Sequence, residues 1–453
     1  MNDEGLVVNG GGSASVNRSE PGVAATLRDE PCAGAGQAPE SEVALTLMER
    51  VLDRANLKRA LEQVRKNRGA PGIDGMSVDA LPGYLKEHWT QIRAQLQAGR
   101  YRPQPVRRVE IPKPDGRVRL LGVPTVLDRF IQHAIAQVIS EQWEPHFHPC
   151  SFGFRPRRSA HQAVRYLQGE MRAGRRWVVD MDLEAFFDRV NHDRLMHRLQ
   201  RHVDDPVVLR LVRCYLKAGV QVEGRWQASE LGVPQGGPLS PVLANVVLDE
   251  LDWQLHRRGH RFARYADDCN IVVGSERAGR RVMASVARFI EDSLRLTVNA
   301  RKSAVDRPWE RKFLGFTVSR KGAKLKVAAP AIEALKGKVR ELTRRTRGRR
   351  IVDIVAELRV TLLGWKAYFG IAEVLGPLRD LDKWIRRKLR CYHWKQWGRA
   401  GYRELRRHGV SRQEAWHTAK SAHGPWRLSR TPALALALPA RYFERLGLPS
   451  LTA

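Results

Sequence analysis

The stretch FARYADDCNIVV, Phe262 to Val273, sets the narrowest limit on the fold. Two short runs, FARY and CNIVV, flank Ala266-Asp267-Asp268. Their aromatic and β-branched content, broken by a polar centre, predicts two strands joined by a tight turn. That turn sets two like charges side by side. A second acidic strand lies upstream in VVDMDLEAFFDRV, where Asp180 and Asp182 are two apart and share a face. A sheet that brings the ends of both strands to one edge gathers carboxylates there. Clustered carboxylates repel unless a cation sits between them, and hard oxygen donors select Mg²⁺. Two such ions a few ångströms apart support in-line phosphoryl transfer.

Charge points to the partner. The 453 residues carry 79 Lys+Arg against 48 Asp+Glu, a formal net charge of +31. So basic a balance argues for an anionic partner, most often nucleic acid. Residues 311–453 hold 33 Lys+Arg against 10 Asp+Glu, and six of the 12 Trp residues: Trp365, Trp384, Trp394, Trp397, Trp416 and Trp426. Cations neutralise phosphates and rings stack on bases, so this mixture suits a nucleic-acid surface. Trp365, Tyr368 and Phe369 are the exception, because i, i+3, i+4 spacing more often marks a helix core. The five cysteines are scattered with no CxxC pair, so neither a zinc site nor a disulfide framework is expected, and a reducing compartment fits. No apolar stretch approaches the roughly 20 residues that span a bilayer. The chain opens Met-Asn-Asp-Glu without an apolar core segment, so no signal or transit peptide is expected.

Organisation along the chain is uneven. Residues 1–42 are rich in Gly, Ser, Pro, Ala and Glu and hold no aromatic. They cannot bury enough apolar surface to offset ordering, which predicts a disordered tail. Residues 43–330 mix strand and helix patterns. VRRVEIPKPDGRVRLLGVP reads as two strands around Pro-Asp-Gly, RWVVDMD as a strand and HDRLMHRLQRH as a helix. Residues 331–400 become helical, in AIEALKGKVRELTRRT, RIVDIVAELRVTLLGWKAYF and PLRDLDKWIRRKLRCYHWKQWG. Residues 401–453 form a basic end segment.

YADD, Tyr265 to Asp268, resembles the palm motif of reverse transcriptases. Further blocks resemble, in order, those of bacterial group II intron-encoded reverse transcriptases: NRGAPGIDGMSVDAL, IPKPDGRVRLLGVPT, SFGFRPRRSAHQAV, VVDMDLEAFFDRVNHDRL, GVPQGGPLSPVLANVVLDELD, LTVNARKSAV and FLGFTVS. LLGWKAYF and LRDLDKWIRRKLRCYHWKQW are similar to the maturase (X, or thumb) domain, so the resemblance covers about residues 55–400. The end, AHGPWRLSRTPALALALPARYFERLGLPSL, resembles members that lack an endonuclease. Only Cys391 lies beyond residue 300, so the paired cysteines of a nuclease are not expected.

The resemblance implies an α/β right-hand polymerase, with fingers and a ferredoxin-like palm, followed by an all-helical thumb/maturase X domain and a DNA-binding end. It implies RNA-directed DNA synthesis together with maturase activity. Its partners would be group II intron RNA, an RNA template with a DNA primer or target, and dNTPs, with no membrane. Two Mg²⁺ ions would serve, with Mn²⁺ a substitute, and the setting would be the bacterial cytoplasm at the nucleoid. Asp182, followed by Phe187 and Asp188, fits the family's first palm acid, whereas Asp180 does not and reads as a strand carboxylate. Asp267 matches the second metal ligand and Asp268 the supporting third acid. Phe187 falls where the family has its steric gate against a 2′-OH. Lys113 and Arg119 match triphosphate contacts, Gln235 a nucleotide-pocket residue, and Lys302 a weaker primer or metal-proximal contact. Gly236 and Gly237 would let the backbone approach closely. Two other readings stay open: an RNA-binding splicing factor with a vestigial polymerase site, and a retron- or defence-type reverse transcriptase, a type that typically lacks the long helical domain.

Overall fold

The computed structural model describes residues 45–112, 118–222 and 225–452. The tail expected over residues 1–42 and the Pro114-Asp115-Gly116 turn lie outside the described residues. The flanks of that turn are strands as expected. β1 (Val106–Pro112) and β2 (Val118–Val123) pair antiparallel, with Ile111 opposite Arg119. β4 (Val220–Val222) lies parallel to β1 and carries β5 (Arg225–Gln227) outside it.

The central sheet is built from β3 (Trp177–Met181), β6 (Arg261–Tyr265), β7 (Asp268–Val273) and β8 (Ala304–Asp306). Its order is β6-β7-β3-β8, antiparallel throughout. Counted within this unit the order is 2-3-1-4, that of a split β-α-β-β-α-β ferredoxin-like fold. The two crossover helices are Ser240–Arg257 and Glu276–Asp292.

Strand alternation divides the sheet into two faces. Val179, Met181, Cys269, Ile271 and Phe262 share the face that merges with the main core, together with Val286 and Ile290 of the helix Glu276–Asp292. The opposite face begins apolar: Val178, Val272 and Ala263 pack with Phe152, Ala163, Val164, Leu167, Phe313 and Phe316. Toward the β6–β7 turn the same face becomes polar, where Asp180 stands opposite Asn270 and Tyr265 opposite Asp268. The helix that covers the apolar half, Ala160–Arg172, starts at a capping box: Ser159 Oγ accepts from the Gln162 N–H, and Gln162 Oε1 accepts from the Ser159 N–H.

β9 (Phe316–Val318) and β10 (Leu325–Val327) form a two-stranded ribbon, after which the chain is helical. Ala329–Leu342, Ile351–Phe369 and Gly376–Trp397 are the long helices. Trp365 and Phe369 pack against their core as the spacing predicts, and Phe369 also meets Phe316 at 5.2 Å between ring centres. The core does not stop at residue 400. Leu405, Leu434, Leu438, Phe443 and Leu451 are buried in the same cluster as Leu358 and Leu389. Asp382 clasps the far end, accepting from the Ser450 hydroxyl at 3.0 Å and the Leu451 N–H at 3.1 Å. Among the described residues no helix is long and apolar enough to cross a membrane.

One core implies one transition. Phe443→Ala and Leu358→Ala, each at a position with 0% exposure, are expected to lower stability by about 3–5 and 2–5 kcal/mol respectively. Both should shift the same unfolding transition in a denaturant titration. Two independently shifted transitions would show that residues beyond 400 fold separately.

Candidate active site

The polar end of the central sheet holds the acids. β3 ends at Met181, and Asp182 follows with its backbone held on both sides. Its N–H donates to Ser303 Oγ at 3.0 Å and its carbonyl accepts from the Asn299 N–H at 2.8 Å. The segment Thr297–Ser303 therefore runs alongside Asp182 and leaves the carboxylate half-exposed. Lys302 Nζ stands 3.4 Å from Asp182 Oδ2. This is the residue for which only a weaker contact was expected.

Asp180 has a structural partner. Arg311 donates to its Oδ2 from Nε at 2.9 Å and from Nη2 at 2.5 Å, and Asn270 Nδ2 donates to Oδ1 at 3.1 Å. Asn270 also reaches Asp268 Oδ1 at 3.3 Å, so it bridges the two strands' acids. Burial pushes the Asp268 carboxyl up to about 7, and the charges of Asp180, Asp267 and Asp182 add to the shift. Asp180 is raised as well, chiefly by burial, with Arg311 pulling against it.

Asp180, Asp182 and Asp268 line an open cavity of about 630 Å³ together with the cations Arg301, Lys302, Arg311 and Lys312. Asp267 sits in the turn itself, one residue before β7. The structure thus brings Asp182 and Asp268 to one cavity, with Asp267 beside them along the chain. Among the described residues no three acids, histidines or cysteines converge closely enough to chelate a metal ion together. The donor set still suits a hard divalent cation: it is all oxygen, and at Asp268 burial and neighbouring acids disfavour the bare charge.

A second cavity, about 370 Å³, brings Phe187 and Gln235 together beside Leu121 and Gly122. Phe187 meets Phe186 edge to face at 5.1 Å, and its carbonyl accepts from the Val233 N–H. The Gln235 carbonyl accepts from the Gly122 N–H at 2.7 Å, tying the loop to β2. Gly236 has φ +118°, and a Cβ there would lie 2.7 Å from the Gly122 carbonyl oxygen, so only glycine fits. A Cβ on Gly237 would lie 2.5 Å from Gln132 Oε1. Lys113 lies outside the described residues. Arg119 lies in β2, and only its backbone is described.

Arg311 and Asn270 escaped the sequence reading. Asn270 had a usable signal, being two residues from Asp268 on the same strand face. Arg311 had none, because its acid is 131 residues away.

The family model described as reverse transcriptase (RNA-dependent DNA polymerase) matches residues 111–318, and the group II intron, maturase-specific domain matches residues 332–410. Protein YkfC of Escherichia coli (strain K12) is 34% identical over 280 residues, covering 53% of this chain and 73% of YkfC. Group II intron-encoded protein LtrA of Lactococcus lactis subsp. cremoris is 37% identical over 194 residues, covering 43% of this chain and 32% of LtrA, so that match spans about a third of the relative's length. A solved structure of telomerase from Candida albicans, in complex with a fragment of telomeric RNA, aligns with a TM-score of 0.43 and 14% identity, covering 65% of this chain and 60% of that one. With a reverse transcriptase domain followed by a maturase-specific domain, the chain belongs to the group II intron type of reverse transcriptases.

Proposed function

We propose that the chain is an RNA-directed DNA polymerase that also serves as a maturase for a group II intron RNA. One observation carries the reading: the ends of β3 and of the β6–β7 hairpin set Asp182 and Asp268 on one cavity that Arg301, Lys302 and Lys312 also line. That is the charge pattern that a cation and a polyphosphate together would complete. In the synthesis step the 3′-hydroxyl of a DNA primer attacks the α-phosphate of a dNTP, and pyrophosphate leaves. Mg²⁺, or Mn²⁺ in its place, would be held by Asp182, Asp267 and Asp268 and would supply charge neutralisation and activation of the hydroxyl. Phe187 would exclude a 2′-OH beneath the incoming sugar, and Gln235 would line the base side of the same pocket. Lys113 and Arg119 would hold the triphosphate, as a point charge and a guanidinium fork. Lys302 would stay beside Asp182 at the primer end.

The maturase half rests on the helical region. Its Lys and Arg excess is displayed partly on aromatic faces: Arg387 lies 3.6 Å and Lys388 4.9 Å from the Trp426 ring centre. Such groups suit a folded RNA backbone and unstacked bases. We place this function in the bacterial cytoplasm, at the nucleoid. A splicing assay of an intron RNA at low Mg²⁺ tests this half, and equal rates with and without protein would remove it.

Primer extension on an RNA template tests the polymerase half. Asp182→Ala and Asp267→Ala are each expected to cut the rate on the order of 100-fold or more, as loss of a metal ligand removes several kcal/mol. Phe187→Ala should raise the use of rNTPs relative to dNTPs by about 10-fold or more. Incorporation that survives the loss of all three acids would sink the assignment. RNA binding without incorporation in the wild type would leave a splicing factor.

The Asp268 shift predicts a pH signature. Its folded value, about 7, lies above the ordinary value of 3.8. The folded state therefore binds this proton more tightly, and the contribution to stability is lost as pH rises from about 4 to about 7. Asp268→Asn removes the titration, so its denaturation midpoint should gain on the wild type between pH 5 and pH 8. Added Mg²⁺ should close that gap at pH 8 by favouring the ionised acid. A difference that is flat with pH would contradict the buried, charge-crowded placement of Asp268.

A further inference from the structure

We infer that Arg264 is a positioning residue that fixes the Ala266-Asp267 turn from behind the sheet; only the activity readout below rests on the polymerase reading. Arg264 stands opposite Cys269 in the strand register, on the face turned away from Tyr265 and Asp268. Its side chain is 1% exposed, and that of its partner Asp252 is 0% exposed. All five guanidinium donors are used. Nε donates to Asp252 Oδ1 at 2.8 Å, and Nη2 to Asp252 Oδ2 at 2.6 Å and Ser151 Oγ at 2.7 Å. Nη1 donates to Asn245 Oδ1 at 3.0 Å and to the Ala266 carbonyl at 2.8 Å. That last bond ends on the turn itself.

The turn needs such a hold. Ala266 has φ +57°, a left-handed conformation that a residue with a side chain keeps only where its surroundings over-determine it. The loop Cys150–Gly153 supplies the second grip. The Arg264 N–H donates to the Cys150 carbonyl at 2.9 Å, and the Phe152 N–H to the Arg264 carbonyl at 2.8 Å. Asn245 Nδ2 donates to the Gly153 carbonyl at 2.8 Å, and Gly153 is so close beneath the turn that a Cβ there would overlap the Ala266 nitrogen. Asp267 and the start of β7 are therefore set by the guanidinium at the Ala266 carbonyl and by a glycine contact at the Ala266 nitrogen. Lysine would keep the charge but not the fork.

The competing account is that Arg264 and Asp252 only stabilise the core. A buried ion pair can be replaced by apolar residues of similar volume with little loss of stability. The double variant Arg264→Met with Asp252→Leu separates the two accounts. The positioning role predicts a folded variant with amide hydrogen exchange at Ala266–Asp268 about tenfold faster or more, with β3 amides unchanged. It also predicts a loss in primer-extension kcat on the order of 100-fold with the dNTP KM little changed. Wild-type exchange at the turn in a stably folded double variant would overturn the inference. Should that variant fail to fold, Arg264→Lys is read in the same way: faster exchange at the turn supports the role and unchanged exchange overturns it. Exchange reports on the turn whether or not the wild type extends a primer, so failure of the polymerase reading shows separately.

Discussion

Arg264 and Asp252 place a full ion pair inside the palm, and the carboxylate-bearing hairpin is built around it. Taking two charges out of water costs several kcal/mol per ion, offset only where geometry and hydrogen bonds are complete. Here they are complete, because acceptors come from three directions: Asp252 and Asn245 on the helix Ser240–Arg257, Ser151 on the preceding loop, and the Ala266 carbonyl at the turn. The four acceptors belong to three different parts of the chain. The guanidinium can be satisfied in only one arrangement of helix, loop and hairpin. That requirement specifies how the sheet edge is assembled, beyond what apolar packing of Phe262 and Ile271 would specify.

The opposite face of the same hairpin carries the reverse problem. There four acids stand together, and the charges of Asp180, Asp182 and Asp267 raise the proton affinity of Asp268. Asp180 is neutralised by Arg311, and Asp182 keeps Lys302 at its side. Asp268 has Asn270 as a neutral donor, and burial beside three other acids raises its proton affinity. The sheet therefore divides its charges. One face spends its cation inside the core to hold backbone, and the other leaves carboxylates toward a cavity that cations also line. The Lys302–Asp182 pair, with side chains 51% and 37% exposed, contributes little stability.

Local patterns made much of this legible. The β6–β7 hairpin, β3 and the β1–β2 pair follow from short apolar runs and turn residues. The core role of Trp365 and Phe369 follows from helical spacing, and each is a property of neighbours in sequence. What stayed hidden depends on distant partners. Asp180 read as a strand carboxylate, and no spacing could reveal Arg311 as its mate. Arg264 looked like one more cation in a very basic chain, although it is among the most buried side chains of the palm. The basic end segment beyond residue 400 hid its packing for a related reason. Its Leu, Ala and Phe residues are too sparse and too interrupted by Gly and Pro to announce a core, and they find one only against the long helices.

The joint between palm and helices explains why these two halves belong to one working unit. Glu373, just after the helix Ile351–Phe369, accepts from the Leu325 N–H at 2.7 Å and pairs with Arg172 at 2.8 Å. Tyr368 donates its hydroxyl to the Leu314 carbonyl at 2.9 Å, and its ring lies 5.7 Å from Phe316. Arg172 ends the helix that packs on the sheet face bearing Asp180 and Asp268, so the same helix carries both the palm contact and the anchor of the helical region. A shift of the helices would pull on the elements that shape the acidic cavity. The acidic cavity and the helical region are therefore tied through one helix of the palm.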